Sequence, residues 1–216
     1  MHGLIDVRVL GTVDYAEALA LQERVRDEVR EGAGEVLLLL EHPPVYTRGR
    51  RSVPGELPMG ADWYRARGID IVDTRRGGKV TYHGPGQLVG YPILRIDDMP
   101  AYVLTLEEAI VAALAGEGID AHVREGIEYT GVWVEDRKIA SIGVHRARGV
   151  TTHGFAVNVD NDLEPFTWIV PCGLGGVQMT SILRETGASG RLPAFRERLT
   201  AELLERLGRT ATVFAE

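Results

Sequence analysis

Glu35-Val-Leu-Leu-Leu-Leu-Glu41 is the stretch on which the fold turns. Its five consecutive apolar residues, 36–40, are too few for an ordinary helix and far short of the roughly 20 needed to cross a bilayer. A short run of this kind between two charges reads as a buried strand, and Pro43-Pro44 ends it because proline cannot donate to a sheet ladder. Upstream, Asp14 with Glu17 reads as a capping box, and Ala16, Leu19, Ala20, Val25 and Val29 recur at helical spacing until Gly32. Downstream, residues 42–62 read as an arginine- and glycine-bearing loop, partly mobile. Strands are predicted over 69–74 and 87–96, followed by an amphipathic helix over 102–115 that stops at Gly116 and Gly118. Short strands near 119–124, 130–135, 138–146 and 150–159 follow with hairpin-length connections. Pro193 opens a last helix that ends near Gly208. Helices flanking a mixed, largely antiparallel sheet make an α+β layer architecture. One domain over 1–216 is expected, with a small C-terminal lobe from about residue 160.

The chain has 216 residues with 44% hydrophobic and 25% charged residues, the balance of an ordinary globule with enough core to need no staples. A net charge of −7 argues against a nucleic-acid partner, and no apolar run suggests a membrane one. The charge is unevenly spread. Residues 14–35 carry three arginines against seven acids, whereas residues 48–79 carry eight basic residues against four acidic. That second stretch is either a solvated face or a docking surface for an acidic partner. The amino-terminal residues lack the pattern of a signal peptide, and the one cysteine has no partner, so the reducing cytoplasm is the expected compartment.

That cysteine is Cys172, in Trp168-Ile-Val-Pro-Cys-Gly-Leu-Gly-Gly176. A lone sulfur forms no internal disulfide and holds no structural metal by itself. It is either a buried apolar filler or a reactive thiol, and a loop of proline and glycines favours the thiol. The basic residues are equally lopsided: 22 of the 24 are arginine, and only Lys79 and Lys138 are lysine. Arginine stays charged, while lysine can exchange a proton when its surroundings lower its pKa. Lys138 follows a polar turn at 135–137, at the start of an outgoing strand.

The densest motif is Arg76-Gly-Gly-Lys-Val-Thr-Tyr-His-Gly-Pro-Gly-Gln87. Gly77 and Gly78 allow close backbone approach, and Gly84-Pro85-Gly86 makes a tight bend. Lys79, Thr81 and His83 share one strand face; Val80 and Tyr82 take the other. No phosphate-loop or dinucleotide fingerprint is present, so the stretch reads as a ligand cradle or as a strained turn. His83, His145 and His153 each invite pairing with the cysteine, and each is equally open to a structural role. No metal site is expected, because neither a His-Glu-x-x-His pattern nor a cysteine pair occurs. Ala140-Ser-Ile-Gly143 and Thr151-Thr-His-Gly-Phe-Ala-Val-Asn158 are strands carrying small residues. They either wall a slot for an extended apolar chain or simply pack tightly.

Taken together, the 76–87 motif, Lys138-Ile-Ala-Ser-Ile-Gly143, Thr152-His-Gly-Phe-Ala-Val-Asn158, Pro171-Cys172-Gly173 and Glu41-His-Pro-Pro-Val-Tyr-Thr-Arg-Gly49 resemble the lipoyl(octanoyl) transferase family. The resemblance runs in order from about residue 36 to 182. It implies the fold shared with biotin and lipoate protein ligases. It also implies transfer of an octanoyl group from acyl carrier protein to a lysine of a lipoyl-domain protein, such as those of 2-oxoacid dehydrogenases and the glycine cleavage system. By position, Cys172 would be the acyl-accepting nucleophile and Lys138 its acid/base partner. Arg76, Gly77, Gly78, Lys79, Val80, Thr81, Tyr82 and His83 would line the acyl site. Ser141, Ile142 and Gly143 from one strand and Gly154, Phe155 and Ala156 from the next would complete it. No cofactor is implied, since thioester exchange followed by amide formation runs without ATP. The competing readings are an ATP-dependent lipoate or biotin ligase, a papain-like cysteine hydrolase with a histidine base, and a non-catalytic acyl-binding module.

Overall fold

A computed structural model describes residues 3–170 and 177–212. In chain order the elements are β1 (Gly3–Thr12), α1 (Tyr15–Arg30), β2 (Glu35–Glu41), β3 (Val45–Arg48), α2 (Ala61–Arg65), β4 (Asp70–Asp73), β5 (Val80–His83), β6 (Gln87–Ile93) and α3 (Met99–Ala115). They continue as β7 (His122–Val123), β8 (Gly131–Val134), β9 (Arg137–Ala147), β10 (Val150–Asn158), β11 (Gln178–Met179), α4 (Ile182–Thr186), α5 (Leu192–Leu207) and β12 (Arg209–Thr212).

The leucine run of β2 is buried on both faces, and its alternation assigns each residue to a layer. Leu37 and Leu39 pack with α3 and α5 through Leu106, Ile110, Phe195 and Leu199. Val36, Leu38 and Leu40 face the opposite way, against Ala18, Val25 and Val29 of α1. Period-two side-chain geometry makes one strand serve two cores. The large sheet runs β12-β1-β2-β6-β10-β9-β8-β7, with β11 added beside β9. Its β2-β6-β10-β9-β8 centre is antiparallel, whereas β1 pairs in parallel with both β2 and β12. This is the expected mixed, largely antiparallel α+β architecture.

The helix boundaries follow their caps. The Asp14 carboxylate accepts from the N–H groups of Ala16 and Glu17 at 2.8 and 3.3 Å. Asp98 does the same for Ala101, starting the third helix at Met99, three residues before the sequence pattern placed it. Pro193 stands in the first turn of α5, and Gly208 closes it in the left-handed region at φ 61°. The residues after 160 are tied to the rest: α5 packs against α3, and β12 pairs with β1.

One expectation is corrected. Residues 42–62 are not simply a loop, because Val45–Arg48 forms the central strand of a second, three-stranded sheet, β4-β3-β5. The cause is tertiary. Tyr46 is fully buried against Tyr64 and Tyr82, and its hydroxyl donates to the Pro165 carbonyl at 2.7 Å. Proline, arginine and glycine around it hide a four-residue strand whose partners are distant in sequence.

Candidate active site

The two sheets meet around a cavity of about 110 Å³. Strands β9 and β10 supply one wall. They pair antiparallel so that Gly154 lies opposite Gly143, and Ala156 opposite Ser141. A Cβ on Gly154 would run into the Gly90 carbonyl and lie 2.7 Å from Pro92 Cδ, so only glycine lets β6 approach here. Ser141, Ile142, Gly143, Gly154, Phe155 and Ala156 all line the cavity. From the 76–83 motif, Arg76, Gly78, Lys79, Val80, Thr81 and His83 join them. Two residues of that motif do not. Tyr82 turns away to stack edge-on with Phe166, and Gly77 donates its N–H to Val144 O at 3.1 Å.

Lys138 lines the same cavity, so the only two lysines of the chain both border it. It is 2% exposed. Its Nζ donates to the Thr130 carbonyl at 2.8 Å and lies 5.2 Å from the Trp133 ring centroid. Its strand has neighbours on either side: Trp133 of β8 and Met179 of β11. The Thr180 N–H donates to the Lys138 carbonyl at 2.9 Å. Lys79 pairs with Glu56 at 3.5 Å, and Glu56 accepts the Val80 N–H as well. Cys172, expected as the nucleophile, lies outside the described residues.

Behind the cavity runs a line of buried amides. His83 Nδ1 lies 2.7 Å from Gln87 Oε1. The Gln87 amide donates to Asn158 Oδ1 at 2.9 Å, and Asn158 donates to the Thr180 carbonyl, also at 2.9 Å. Because Gln87 uses its NH₂ elsewhere, its oxygen accepts from His83, which fixes the proton on Nδ1 and leaves Nε2 as an acceptor. Burial keeps that imidazole neutral, with His42 and Arg76 opposing its charge further. His153 also lines the cavity. Burial drives its pKa to about 3, and its φ of 58° is unusual for a residue with a side chain. A neutral ring of this kind contributes shape and hydrogen bonding to a wall. His145 sits outside the cavity, in a second cleft with Arg26 and Arg75.

The chain matches the model of the lipoyl protein ligase A/B catalytic domain over residues 14–204. It belongs to that family. An octanoyltransferase of Mycobacterium ulcerans is 48% identical over 195 residues, covering 85% of this chain and 80% of the relative. One of Solibacter usitatus is 48% identical over 199 residues, covering 90% and 89%. Among solved structures, a lipoate-protein ligase A bound with ATP superposes with a TM-score of 0.79 at 19% identity, covering 99% of this chain and 90% of that one. At that identity the likeness speaks for the fold.

Several lining residues carried no signal in the sequence. Tyr15 of α1, Tyr91 of β6 and Thr130, just before β8, reach the cavity from separate parts of the chain, and no local motif joins them. Arg51 was legible only as one cation of a basic stretch. Glu107 was legible in principle, as the buried acid in an otherwise apolar helix face.

Proposed function

We propose that this chain is an acyltransferase that moves an octanoyl group from acyl carrier protein to a lysine of lipoyl-domain proteins, through a thioester on Cys172. The observation that carries the reading is the cavity itself. A cavity walled by small residues of β9 and β10 opens beside a buried lysine, in a chain whose relatives are octanoyltransferases. Met179, seven residues beyond Cys172 in sequence, is paired with Lys138. That pairing brings the strand following the cysteine segment to the lysine.

In this reading the Cys172 thiolate attacks the carbonyl carbon of the donor thioester. The carrier's thiol leaves with a proton from Lys138. The incoming lysine amine then attacks the Cys172 thioester, loses its proton to Lys138, and departs as the amide while the Cys172 thiolate and the Lys138 ammonium are restored. Thioester to thioester is nearly isoenergetic and thioester to amide runs downhill, so no activating nucleotide enters. His83, with its lone pair at Nε2 and its orientation set by Gln87, is a wall group that accepts a hydrogen bond. The compartment inferred from the single unpaired cysteine is the reducing cytoplasm.

The test is intact-mass measurement after exposure to octanoyl acyl carrier protein. A single octanoyl adduct on Cys172, removed by hydroxylamine, is expected. Lys138→Arg should fold normally and lose most transfer, because arginine does not cycle a proton at neutral pH. A Cys172→Ala variant that still modifies its target with ATP would move the chain to ligase chemistry.

A further inference from the structure

One peptide unit lies between two buried charged side chains. The N–H of the Thr130–Gly131 peptide donates to Glu107 Oε1 at 2.7 Å, and the carbonyl of the same peptide accepts from Lys138 Nζ at 2.8 Å. Glu107 comes from α3, whose other buried residues are Tyr102, Leu106, Ala109, Ile110, Ala113 and Leu114. It is 6% exposed and does not line the cavity. A carboxylate set among such neighbours costs several kcal/mol unless its charge and lone pairs find partners. Burial raises its pKa, while the Gly131 N–H and the Lys138 charge oppose the rise. A peptide hydrogen-bonded at both ends is polarised along its length, so each bond strengthens the other.

The local backbone is built around this contact. Gly131 has φ +130°, and a Cβ there would collide with the Ala140 carbonyl and come within 2.6 Å of Lys138 Cε. The Trp133 indole N–H holds the preceding turn through Tyr129 O at 2.8 Å. We propose that Glu107 is a positioning residue for Lys138, fixing through the Thr130–Gly131 peptide the carbonyl to which the lysine is tied. The inference rests on Lys138 acting as the acid/base partner of Cys172.

The single cysteine makes the test direct, because iodoacetamide alkylation then reads Cys172 alone. Transfer kinetics and the pH dependence of alkylation would be measured for the native chain and for Glu107→Gln, Glu107→Ala, Glu107→Asp and Lys138→Ala. The Glu107→Ala, Lys138→Ala double variant completes the set. Glu107→Gln keeps an oxygen for the Gly131 N–H and should stay within about threefold of native kcat. Glu107→Ala should lose about 10- to 100-fold in kcat at near-native KM, the scale expected when a reacting group is misplaced by about an ångström. Its alkylation profile should move, and that movement should vanish when Lys138 is already alanine. Glu107→Asp withdraws the acceptor by one methylene while keeping the charge, and it should fall with Glu107→Ala even if the alanine variant folds poorly. Native kcat in Glu107→Asp, or an equal alkylation shift with and without Lys138, would overturn the proposal. A native alkylation profile in Lys138→Ala would remove the reading beneath it. A shifted Lys138→Ala profile beside a native Glu107→Ala profile overturns the inference alone.

Discussion

Three buried imidazoles set the acid limit of the molecule. His42 accepts the Tyr91 hydroxyl at Nε2 and donates from Nδ1 to Val13 O, each at 2.7 Å, and burial lowers its pKa to about 4. His83 and His153 lie well below the ordinary histidine value for the same reason. An unfolded histidine titrates near 6.5, so below that pH the unfolded chain binds protons that the folded chain refuses. Stability is therefore complete above about pH 7 and is lost as pH falls from 6.5 toward 4, with up to three protons taken up on unfolding. Thermal unfolding followed from pH 7.5 to 5 should show a falling Tm, and a flat Tm over that interval would refute the assignment. The positions of these rings were only partly legible. His83 stood inside a recognisable motif, but the burial that keeps it neutral, and the neighbouring His42, come from packing between segments distant in sequence.

Among the elements, the β9–β10 pair was the most legible, because small residues at alternate positions mark where side chains are kept away. Ala156 belongs to the core cluster that includes Ala18, Val25 and Val29 of α1 and also lines the cavity, which the proposed reading takes as the acyl slot. Enlarging that residue should shorten the slot. Ala156→Val is expected to shift preference from eight-carbon toward six-carbon acyl donors, by roughly fourfold for each methylene no longer buried, on the basis of about 0.8 kcal/mol per CH₂. Relative kcat/KM for the two donors measures this, and an unchanged ratio would place the acyl chain elsewhere. Strand β3 escaped, as did β1, β12 and the short helices α2 and α4; for β3 the reason is plain. Four residues give too little periodicity to read, and both of its ladders depend on segments more than 20 residues away.

At the scale of the whole molecule, the basic stretch over 48–79 is largely spent internally. Arg48 pairs with Asp73 at 2.7 Å, Arg65 with Asp62 at 3.2 Å, and Arg67 lies over Trp63 at 3.4 Å. Arg76 is buried against Thr47. Backbone N–H groups of Arg50 and Arg51 bond the carbonyls of Arg76 and Gly78, both at 3.0 Å, which seats this pair on the glycine motif, with Arg51 at the cavity. Composition showed the excess of charge, but only folding shows which cations are matched. Reversal at Arg51 should raise KM for protein substrates several-fold at low salt and less at high salt, since unpaired surface charge acts through a screened field. Reversal at Arg65 should leave KM unchanged; equal effects at both positions would make the field diffuse.

Met179 and Thr180 on one side and Trp133 on the other clasp the backbone of Lys138, and Thr130 tethers its tip. In the proposed reaction the rotational freedom of a four-carbon amine, worth up to about 2 kcal/mol, is thus given up once, as the chain folds, and not anew at each turnover. An enzyme arranged this way gains rate from order established in advance, so its substrates need not grip tightly to find the amine in place.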